Sequence, residues 1–457
     1  MPSDLNSANN VLFVVYDFPP EGARGTKRSI KFIRYLPQNQ WNPVVLTVRN
    51  PNYIFHDRSL FAELPQDLVV YRAWTPESLF HRKGPGHTEA CDPGAEVKQA
   101  TPPTWLRRAA LSVYKGVGKF ARIPDSRLLW LPFAIIKGFR AIRHNRCRVI
   151  YTSGPTHTNH LVGALLSRLT RRPLVMDFRD AWVSDPAARR GNGWTMKANS
   201  FLEQLCIRRA RVVVCTTDGI RNDFESRYPE SRGKCVTIPN GFDQSEFVQG
   251  TEPQDPSRRS VLKIVHAGTL GGERSPREFL AALGSLLQEN PNLIGQLEVT
   301  FVGQNSPFLD GGVIEDYVEK YGCGPLVKIT GFVSRDASLD YIRQADLLLL
   351  IIGRVPKEGA FVYGISGKIY DYAAAGMPVL TISETGSTAE LARRLNLGPV
   401  LNPDDIQGIK SAIVSLVELH KCGGIPYSPD LELLKSFEFS SLTAKLAQCF
   451  HTTSSKT

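Results

Sequence analysis

The stretch VLFVVYDFPPEGARG, residues 11–25, indicates the class of fold. It opens with a short apolar run and ends in a turn rich in Pro and Gly, which is typical of a buried parallel strand and its loop. TKRSIKFIRYL (26–36) follows with apolar residues at helical spacing, and NPVVLTV (42–48) is a second apolar run. The order strand, loop, helix, strand predicts the first unit of a doubly wound α/β sheet.

The same alternation continues along the chain and predicts two α/β domains. Apolar runs predict more strands at 148–154, 173–178, 211–217 and 234–240, and a second series begins at LKIVHAG (262–268). The polar stretch between the two series reads as a linker. The predicted divisions are an N-terminal domain (1–242), a linker (243–260), a C-terminal domain (261–425) and a helical tail (426–457). Because ligands of such sheets bind at the carboxyl ends of the strands, we expect two facing Rossmann-like domains with a cleft between them.

The charge of the chain is unevenly distributed. The net charge is +11, but residues 1–242 carry 36 Lys and Arg against 19 Asp and Glu, whereas the remainder carries 19 against 25. A basic N-terminal half favours an anionic partner such as a phosphorylated substrate or an anionic membrane. Nucleic acid is not expected, because no platform of interleaved aromatic and basic residues is evident.

The sequence favours a cytoplasmic location. The first residues, MPSDLNSANN, show no apolar signal segment, and the longest apolar run, 128–136, is too short to cross a bilayer. The eight cysteines contain no Cys-x-x-Cys pair, which argues against a disulfide framework or a zinc site. Residues 104–122 are basic and amphipathic, so either contact with an anionic membrane at the cytoplasmic face or packing on the N-terminal sheet is expected there.

Several predicted strands are followed by residues capable of chemistry. Gly22 lies in the loop after the first strand, His157 follows YTSG, Arg179 and Asp180 follow VMDF, and the stretch 269–274 follows KIVHAG. Polar residues that gather at the same edge of a sheet indicate a ligand site more strongly than any one of them does alone.

These segments carry a resemblance to a known family. FPPEGARG, TSGPTHTNH with MDFRDAW, IPNGFD, HAGTLGGERSP and SGKIYDYAAAGMPVL occur in the order and spacing of the family 4 retaining glycosyltransferases, which have the GT-B architecture. The chain resembles that family over nearly its whole length. Its DFRDAW segment looks like the branch that acts in surface-polysaccharide assembly.

The resemblance implies a donor site in the second domain. A nucleotide-diphospho-sugar leaves an anionic diphosphate, which cations and backbone N–H groups stabilise. The family pattern places Arg274 and Lys368 at the diphosphate, with Arg277 as a competitor for the first position. The glycine-rich turns that carry them supply the other expected donor residues: Gly268, Thr269 and Gly367. The alternative is that the two cations merely cap or solvate helix ends.

The sequence departs from the family at the carboxylate pair of the donor site. Asp371 stands where the family has the second glutamate, which binds the ribose hydroxyls, and Tyr363 stands where the first is expected. Glu358 is a weak substitute for that first acid. Phe332 and Val333 align with the stretch that lines the base pocket, although ordinary packing at a strand end explains them equally well.

In the first domain the resemblance implies an acceptor and transfer site. Gly22, which is also an expected donor-binding residue, lies in the family's Pro-Pro-x-Gly loop, where the absence of Cβ lets the backbone approach a phosphate or sugar. Arg179 takes the place of a histidine beside the transferred sugar in many relatives. Arg179, Asp180 and His157 are the predicted catalytic residues, and a mutual ion pair between the first two is the structural alternative.

The resemblance implies a retaining glycosyltransferase that moves a sugar from a nucleotide-diphospho-sugar to a lipid-linked glycan. No cofactor and no metal are expected, because relatives of this architecture generally need none. Two other hypotheses stay open: a sugar-nucleotide epimerase or hydrolase of the same fold, and a non-catalytic partner of a transferase. The sequence does not specify the sugar, the base, the acceptor, the linkage or the oligomeric state.

Overall fold

The computed structural model describes residues 9–22, 24–49, 51, 53, 57–76, 123–184, 193–248, 261–272, 274–303, 305–308, 310–354 and 364–455. The chain divides into two compact units. The first unit is 1–238 together with 443–457, and the second is 239–442. The first boundary therefore lies four residues before the division expected at 242, and the end of the predicted helical tail belongs to the first unit.

The first unit contains a sheet of seven parallel strands. They are β1 (Asn9–Val14), β2 (Trp41–Val48), β3 (Val69–Ala73), β4 (Val149–Gly154), β5 (Leu174–Phe178), β6 (Val212–Cys215) and β7 (Cys235–Thr237). Their order is β3-β2-β1-β4-β5-β6-β7, which is the doubly wound order with its switch point between β1 and β4. The apolar residues of β1 and β4 are fully buried, as expected for parallel strands covered on both faces.

Helices cover this sheet on both faces. They are α1 (Arg24–Tyr35), α2 (Leu131–His144), α3 (Thr158–Thr170), α4 (Gly193–Arg209) and α5 (Asp218–Arg227). The core contains Trp130, Trp182 and Phe178, whose side chains are almost fully buried. Two residues near the C-terminal end of the chain contact Trp41. Its indole N–H donates to His451 Nε2 at 3.1 Å, and its ring packs against Phe450. These two contacts hold the C-terminal residues on the first unit.

The second unit repeats the doubly wound order with its own strands. They are β8 (Leu262–Ala267), β9 (Leu270–Gly272), β10 (Leu297–Val302), β11 (Asn305–Phe308), β12 (Val327–Gly331), β13 (Leu347–Gly353), β14 (Val379–Ser383) and β15 (Val400–Leu401). The main sheet has the order β12-β10-β8-β13-β14-β15, and β9 pairs with β11 in a small separate sheet. The switch point lies between β8 and β13, so a ligand site is expected at the carboxyl ends of these two strands.

The helices of the second unit surround this sheet. They are α6 (Ser245–Val248), α7 (Arg277–Glu289), α8 (Ile314–Lys320), α9 (Arg335–Arg343), α10 (Lys368–Ala374), α11 (Ser387–Arg394), α12 (Ile406–Lys421) and α13 (Leu431–Lys435). The last helix, α14 (Phe439–Ser454), continues into the first unit. Within the described ranges, no helix is both long enough and apolar enough to span a bilayer. The amphipathic segment 104–122 lies outside the described residues.

Candidate functional site

The first unit gathers polar side chains at the carboxyl ends of β1, β4 and β5. We call this group the N-terminal cluster; it consists of Asp17, Asp125, Thr156, His157 and Arg179. The Thr156 hydroxyl donates to a carboxylate oxygen of Asp17 at 3.5 Å. Asp125 accepts from the backbone N–H and from the hydroxyl of Thr158 at 2.8 Å each. The cluster lies at the switch point of the sheet, where ligands of this fold bind.

Arg179 is held by backbone carbonyls. Its Nε donates to the Gly154 carbonyl at 3.1 Å, and its Nη2 donates to the carbonyl of Pro155. The guanidinium also lies directly against Gly25 in the first turn of α1, where any Cβ would collide with it. These contacts orient Arg179 without neutralising its charge, because carbonyls and a glycine are uncharged.

Burial raises the pKa of the Asp17 carboxyl above its ordinary value, although the charges of Arg179 and Arg127 act in the opposite direction. Burial also raises the pKa of Asp125. A half-buried acid beside an oriented arginine offers both an acceptor and a donor to a polar ligand. Neither acid was among the predicted site residues; Asp17 could have been recognised as the first charged residue after the first apolar run.

His157 of the N-terminal cluster and the neighbouring His160 are held neutral. His157 stacks on Trp182 with ring centroids 4.8 Å apart, and His160 Nδ1 lies 2.8 Å from the Thr152 hydroxyl. Burial lowers the pKa of His160 to about 3 and that of His157 well below its ordinary value. Asp180, the third predicted catalytic residue, and Gly22 are both exposed in this unit. The catalytic roles of Arg179, His157 and Asp180 and the donor-binding role of Gly22 stay predictions.

The neutral state of His160 predicts a pH dependence of stability. Its pKa is lower in the folded chain than in the unfolded chain, so the unfolded chain binds an extra proton below about pH 6.5. Above that pH the neutral histidine costs the folded chain nothing. As the pH falls from there toward 3, the free energy of unfolding decreases by up to about 1.4 kcal/mol per pH unit. Urea denaturation of the wild type and of His160→Gln at several pH values measures this effect.

We expect the wild type to lose more stability than His160→Gln as the solution is acidified. The acids Asp17 and Asp125 titrate in both proteins, so their opposite contribution cancels in the difference. Parallel pH profiles for the two proteins would contradict the assignment of a neutral His160.

The second unit brings several predicted donor residues together at the end of β8. We call this group the C-terminal cluster; it consists of His266, Gly268, Thr269, Arg274 and Lys368. Lys368 Nζ lies 2.9 Å from His266 Nε2 and 3.1 Å from the carbonyl oxygen of Thr269. The aliphatic part of Lys368 passes over Gly268, whose φ of +113° and lack of Cβ make room for it. Residues about 100 positions apart in the sequence thus form one site.

His266 was not recognised from the sequence, and its tautomer follows from its contacts. Its Nδ1 lies 2.8 Å from the carbonyl oxygen of Leu349, which only accepts, so Nδ1 carries the ring proton and Nε2 accepts from Lys368. Burial and the charges of Lys368 and Arg274 hold the pKa of His266 well below its ordinary value. The two acceptors of Lys368 named above are therefore uncharged and leave its positive charge intact.

The two arginine candidates for the diphosphate position have different contacts. Arg274 lies near enough to lower the pKa of His266, and its backbone N–H donates to the Gly271 carbonyl at 3.2 Å. Arg277 instead forms an ion pair with Glu278 at 2.8 Å and lies 3.8 Å from Asp310. The assignment of Arg274 rather than Arg277 to the diphosphate position stays a prediction.

The remaining predicted donor residues differ in exposure. Gly367, which immediately precedes Lys368, is exposed. Asp371 accepts from Arg335 at 3.1 Å, and Arg335 also pairs with Glu246 at 2.7 Å. Phe332 is 70% exposed after β12, whereas Val333 is half-buried against the core. Tyr363 and Glu358 lie outside the described residues.

Family models match both halves of the chain. Residues 34–241 match the glycosyl transferase 4-like domain, and residues 262–419 match the glycosyl transferases group 1. The chain belongs to the family 4 glycosyltransferases. The first matched region covers most of the unit that carries the N-terminal cluster and extends three residues beyond residue 238, and the second matched region contains the C-terminal cluster.

Solved structures share the fold of this glycosyltransferase. HepE of Anabaena, in complex with UDP-glucose, is 18% identical with a TM-score of 0.53, over 98% of this chain and 97% of that one. Sucrose-phosphate synthase of Thermosynechococcus elongatus is 15% identical with a TM-score of 0.57, over 98% and 100%. WaaG, a glycosyltransferase of lipopolysaccharide biosynthesis, is 14% identical with a TM-score of 0.55, over 96% and 99%. These likenesses show the GT-B fold with its two Rossmann-like domains. No curated protein matches the sequence significantly.

Proposed function

We propose that this glycosyltransferase transfers a sugar from a nucleotide-diphospho-sugar to a lipid-linked glycan, with retention of the anomeric configuration. The observation that carries the proposal is the C-terminal cluster, in which Lys368 lies over Gly268 and contacts His266, and the charge of Arg274 acts on the same histidine at the switch point of the second sheet. Two cations at that position suit a diphosphate leaving group, whose negative charge increases as its bond to the sugar breaks. UDP and UDP-glucose in the HepE structures agree with a donor of this class.

The other donor contacts follow from the neighbouring residues. Asp371 is oriented by Arg335 through one carboxylate oxygen, and we propose that it accepts from the ribose hydroxyls. The exposed ring of Phe332 offers a stacking surface to the base. A shorter acid in place of glutamate reaches less far, so the ribose must lie closer to α10 than in relatives that carry the glutamate.

In the proposed reaction, the bond between the anomeric carbon and the diphosphate oxygen breaks, and the acceptor hydroxyl bonds to the same face of that carbon. The acceptor proton passes to an oxygen of the departing diphosphate. Arg179, His157 and Asp180 would bind the reacting sugars in the first unit, with Gly22 in the adjoining loop. The proposal requires no metal or cofactor, since the cations of the C-terminal cluster stabilise the leaving group.

The proposed setting is assembly of a surface polysaccharide at the cytoplasmic face of the membrane. The basic N-terminal half, with its excess of Lys and Arg, suits an anionic lipid diphosphate as the acceptor. Segment 104–122 remains the candidate for peripheral membrane contact that the sequence pattern suggested.

A thermal-shift panel of UDP-, GDP- and ADP-sugars tests the donor assignment. A donor that binds only the folded protein raises the melting temperature, and the largest shift identifies the base. Release of nucleotide diphosphate, compared with and without a lipid-linked acceptor, then separates transfer from hydrolysis. No thermal response to any of these nucleotide sugars would contradict the proposed function.

Gly268→Ala tests the fit of Lys368 in the proposed donor site. The new Cβ would lie 2.6 Å from Lys368 Cε, so the lysine must move, and the φ of +113° is strained for alanine. We expect donor affinity to fall about tenfold or more, because the displaced ammonium loses its contact with the diphosphate. Isothermal titration calorimetry with the donor from the panel measures the change.

Gly272→Ala is the matched control in the same turn region. Gly272 also has a positive φ, +59°, but a Cβ there would meet no atom within 4 Å. Both variants should lose stability through backbone strain, and only Gly268→Ala should lose donor affinity. Equal affinities for the two variants would argue against Lys368 as a donor contact.

A further inference from the structure

Three neighbouring helices of the first unit present apolar side chains to solvent. α2 packs beside α3, and α3 packs beside α4. The exposed large apolar residues on these helices include Phe133, Ile136, Leu165, Leu169, Phe201 and Leu205. Single exposed apolar side chains are ordinary, but a group of them on adjacent helices marks an interaction surface.

The exposed apolar residues alternate with basic residues along the same helical faces. On α2, Phe133, Ile136, Arg140 and Arg143 follow one another at intervals of three or four residues, and on α4 the same spacing joins Trp194, Lys197, Phe201 and Leu205. Arg140, Arg143 and Lys197 are exposed, as is Arg168 beside Leu169 on α3. Each helix thus directs a mixed apolar and cationic stripe toward solvent.

The acidic residues that normally balance such a surface are absent from these three helices, all of whose residues are described. Their single carboxylate is Glu203, which is fully buried and bonded to Tyr228 and Arg227 at 2.6 Å each. Arg208 pairs with Glu230 and Arg209 donates to Ser167, so these two arginines are engaged by other residues of the same unit. The surface charge of the helical layer is therefore positive.

We infer that the outer face of α2, α3 and α4 is a docking surface for an anionic lipid bilayer. Apolar side chains flanked by Lys and Arg suit the boundary between headgroups and acyl chains, where the apolar residues insert and the cations meet lipid phosphates. Trp74, whose ring contacts Phe133 edge-on at 4.9 Å, adds an aromatic residue of the kind enriched at membrane interfaces. None of the residues of this surface belongs to segment 104–122.

The surface would bring the N-terminal cluster close to the lipid. α3 starts directly after His157, so its exposed Leu165 and Leu169 lie within roughly two turns to three turns of helix from the cluster. Docking there deepens the proposed function, because it would place the acceptor site of the first unit near a lipid-linked substrate.

Vesicle flotation with the full chain tests the inference. The wild type should bind vesicles of phosphatidylcholine and phosphatidylglycerol, bind pure phosphatidylcholine weakly, and dissociate as salt is raised. The triple variant Ile136→Ser/Leu169→Ser/Phe201→Ser removes side chains that are 56%, 58% and 65% exposed. Its affinity for the anionic vesicles should fall about tenfold or more, since the apolar area that inserts is lost.

Ile294→Ser/Leu431→Ser is the control, because these two residues are 54% and 70% exposed but belong to the second unit. The control should bind vesicles like the wild type. Wild-type binding by the triple variant, or no wild-type binding to anionic vesicles, would overturn the inference. So would a dimer of the wild type that the triple variant abolishes, because the face would then join two copies. If the triple variant folds poorly, Phe201→Ser alone should still weaken vesicle binding.

The donor thermal shift separates this inference from the proposed function. The triple variant should show the same shift as the wild type, because its substitutions lie outside the C-terminal cluster. Loss of vesicle binding with an intact donor shift supports the docking surface. Vesicle binding without any donor shift would leave the surface standing and reject the donor assignment.

Discussion

Lys368→Ala should abolish most of the glycosyl transfer. We expect release of nucleotide diphosphate in the presence of acceptor to fall about 100-fold or more, since a cation that stabilises the leaving group acts chiefly in the transition state. Donor affinity should fall less, by about 10- to 100-fold, because a charge-assisted hydrogen bond to the diphosphate is lost from the ground state. Steady-state kinetics and calorimetry measure the two effects separately.

Lys368→Met distinguishes charge from packing. Methionine keeps an apolar stem over Gly268 but cannot donate to His266 or to the Thr269 carbonyl. It should be as inactive as the alanine variant if the ammonium charge is what matters. Lys421→Ala, which removes an exposed lysine paired with Glu418 on α12, should retain wild-type activity. Substantial activity in Lys368→Met would refute the proposed role.

Asp177→Ala should be strongly destabilising. Asp177 is the buried acid of the MDFRDAW segment, and both its oxygens accept from Arg28 at 2.9 Å. Tyr151 and Ser153 donate to the same carboxylate at 2.7 and 3.1 Å. Removal of the carboxylate leaves a guanidinium buried without its counter-charge, which costs about 3–5 kcal/mol. Urea denaturation of the full chain, followed by circular dichroism, measures the loss.

Arg208→Ala is the control for the loss of an ion pair. Arg208 pairs with Glu230 on the surface and its side chain is 63% exposed, so its removal should change the denaturation midpoint little. A similar small change in Asp177→Ala would show that the buried pair is not a major support of the first unit. The buried carboxylate of Asp177 would then have no structural role beyond its place in β5.

Asp177 and Arg179 of the MDFRDAW segment have different positions and contacts in the structure. Asp177 points into the core and holds α1 through Arg28, whereas Arg179 points to the carboxyl edge of the sheet. Strand alternation does not explain this division, since residues two positions apart face the same way in a strand. It arises because β5 ends at Phe178, so Arg179 lies in the loop that follows the strand. In the sequence alone, the three charged residues of DFRD were indistinguishable in burial.

The order of strands and helices could be read from the sequence because the signals are local. A parallel strand covered on both faces favours a nearly continuous apolar run, as in VLFVVY, and LKIVHA keeps most of that character although Lys263 and His266 interrupt it. The apolar spacing of 26–36 likewise predicted α1. The quoted motifs, taken in their order, identified the family, which the two matched family models confirm.

The contacts within each cluster depend on tertiary structure, because they join distant parts of the chain. Lys368 meets His266 across 102 positions, and Arg28 meets Asp177 across 149. No local pattern in the sequence shows that Nε2 of His266 contacts Lys368, or that the guanidinium of Arg179 lies against Gly25. The sequence by itself determined the two doubly wound sheets and the residues at their carboxyl edges. Only the packing of β8, β13 and α10 decided which of those residues touch, since burial and side-chain direction arise when separate elements come together.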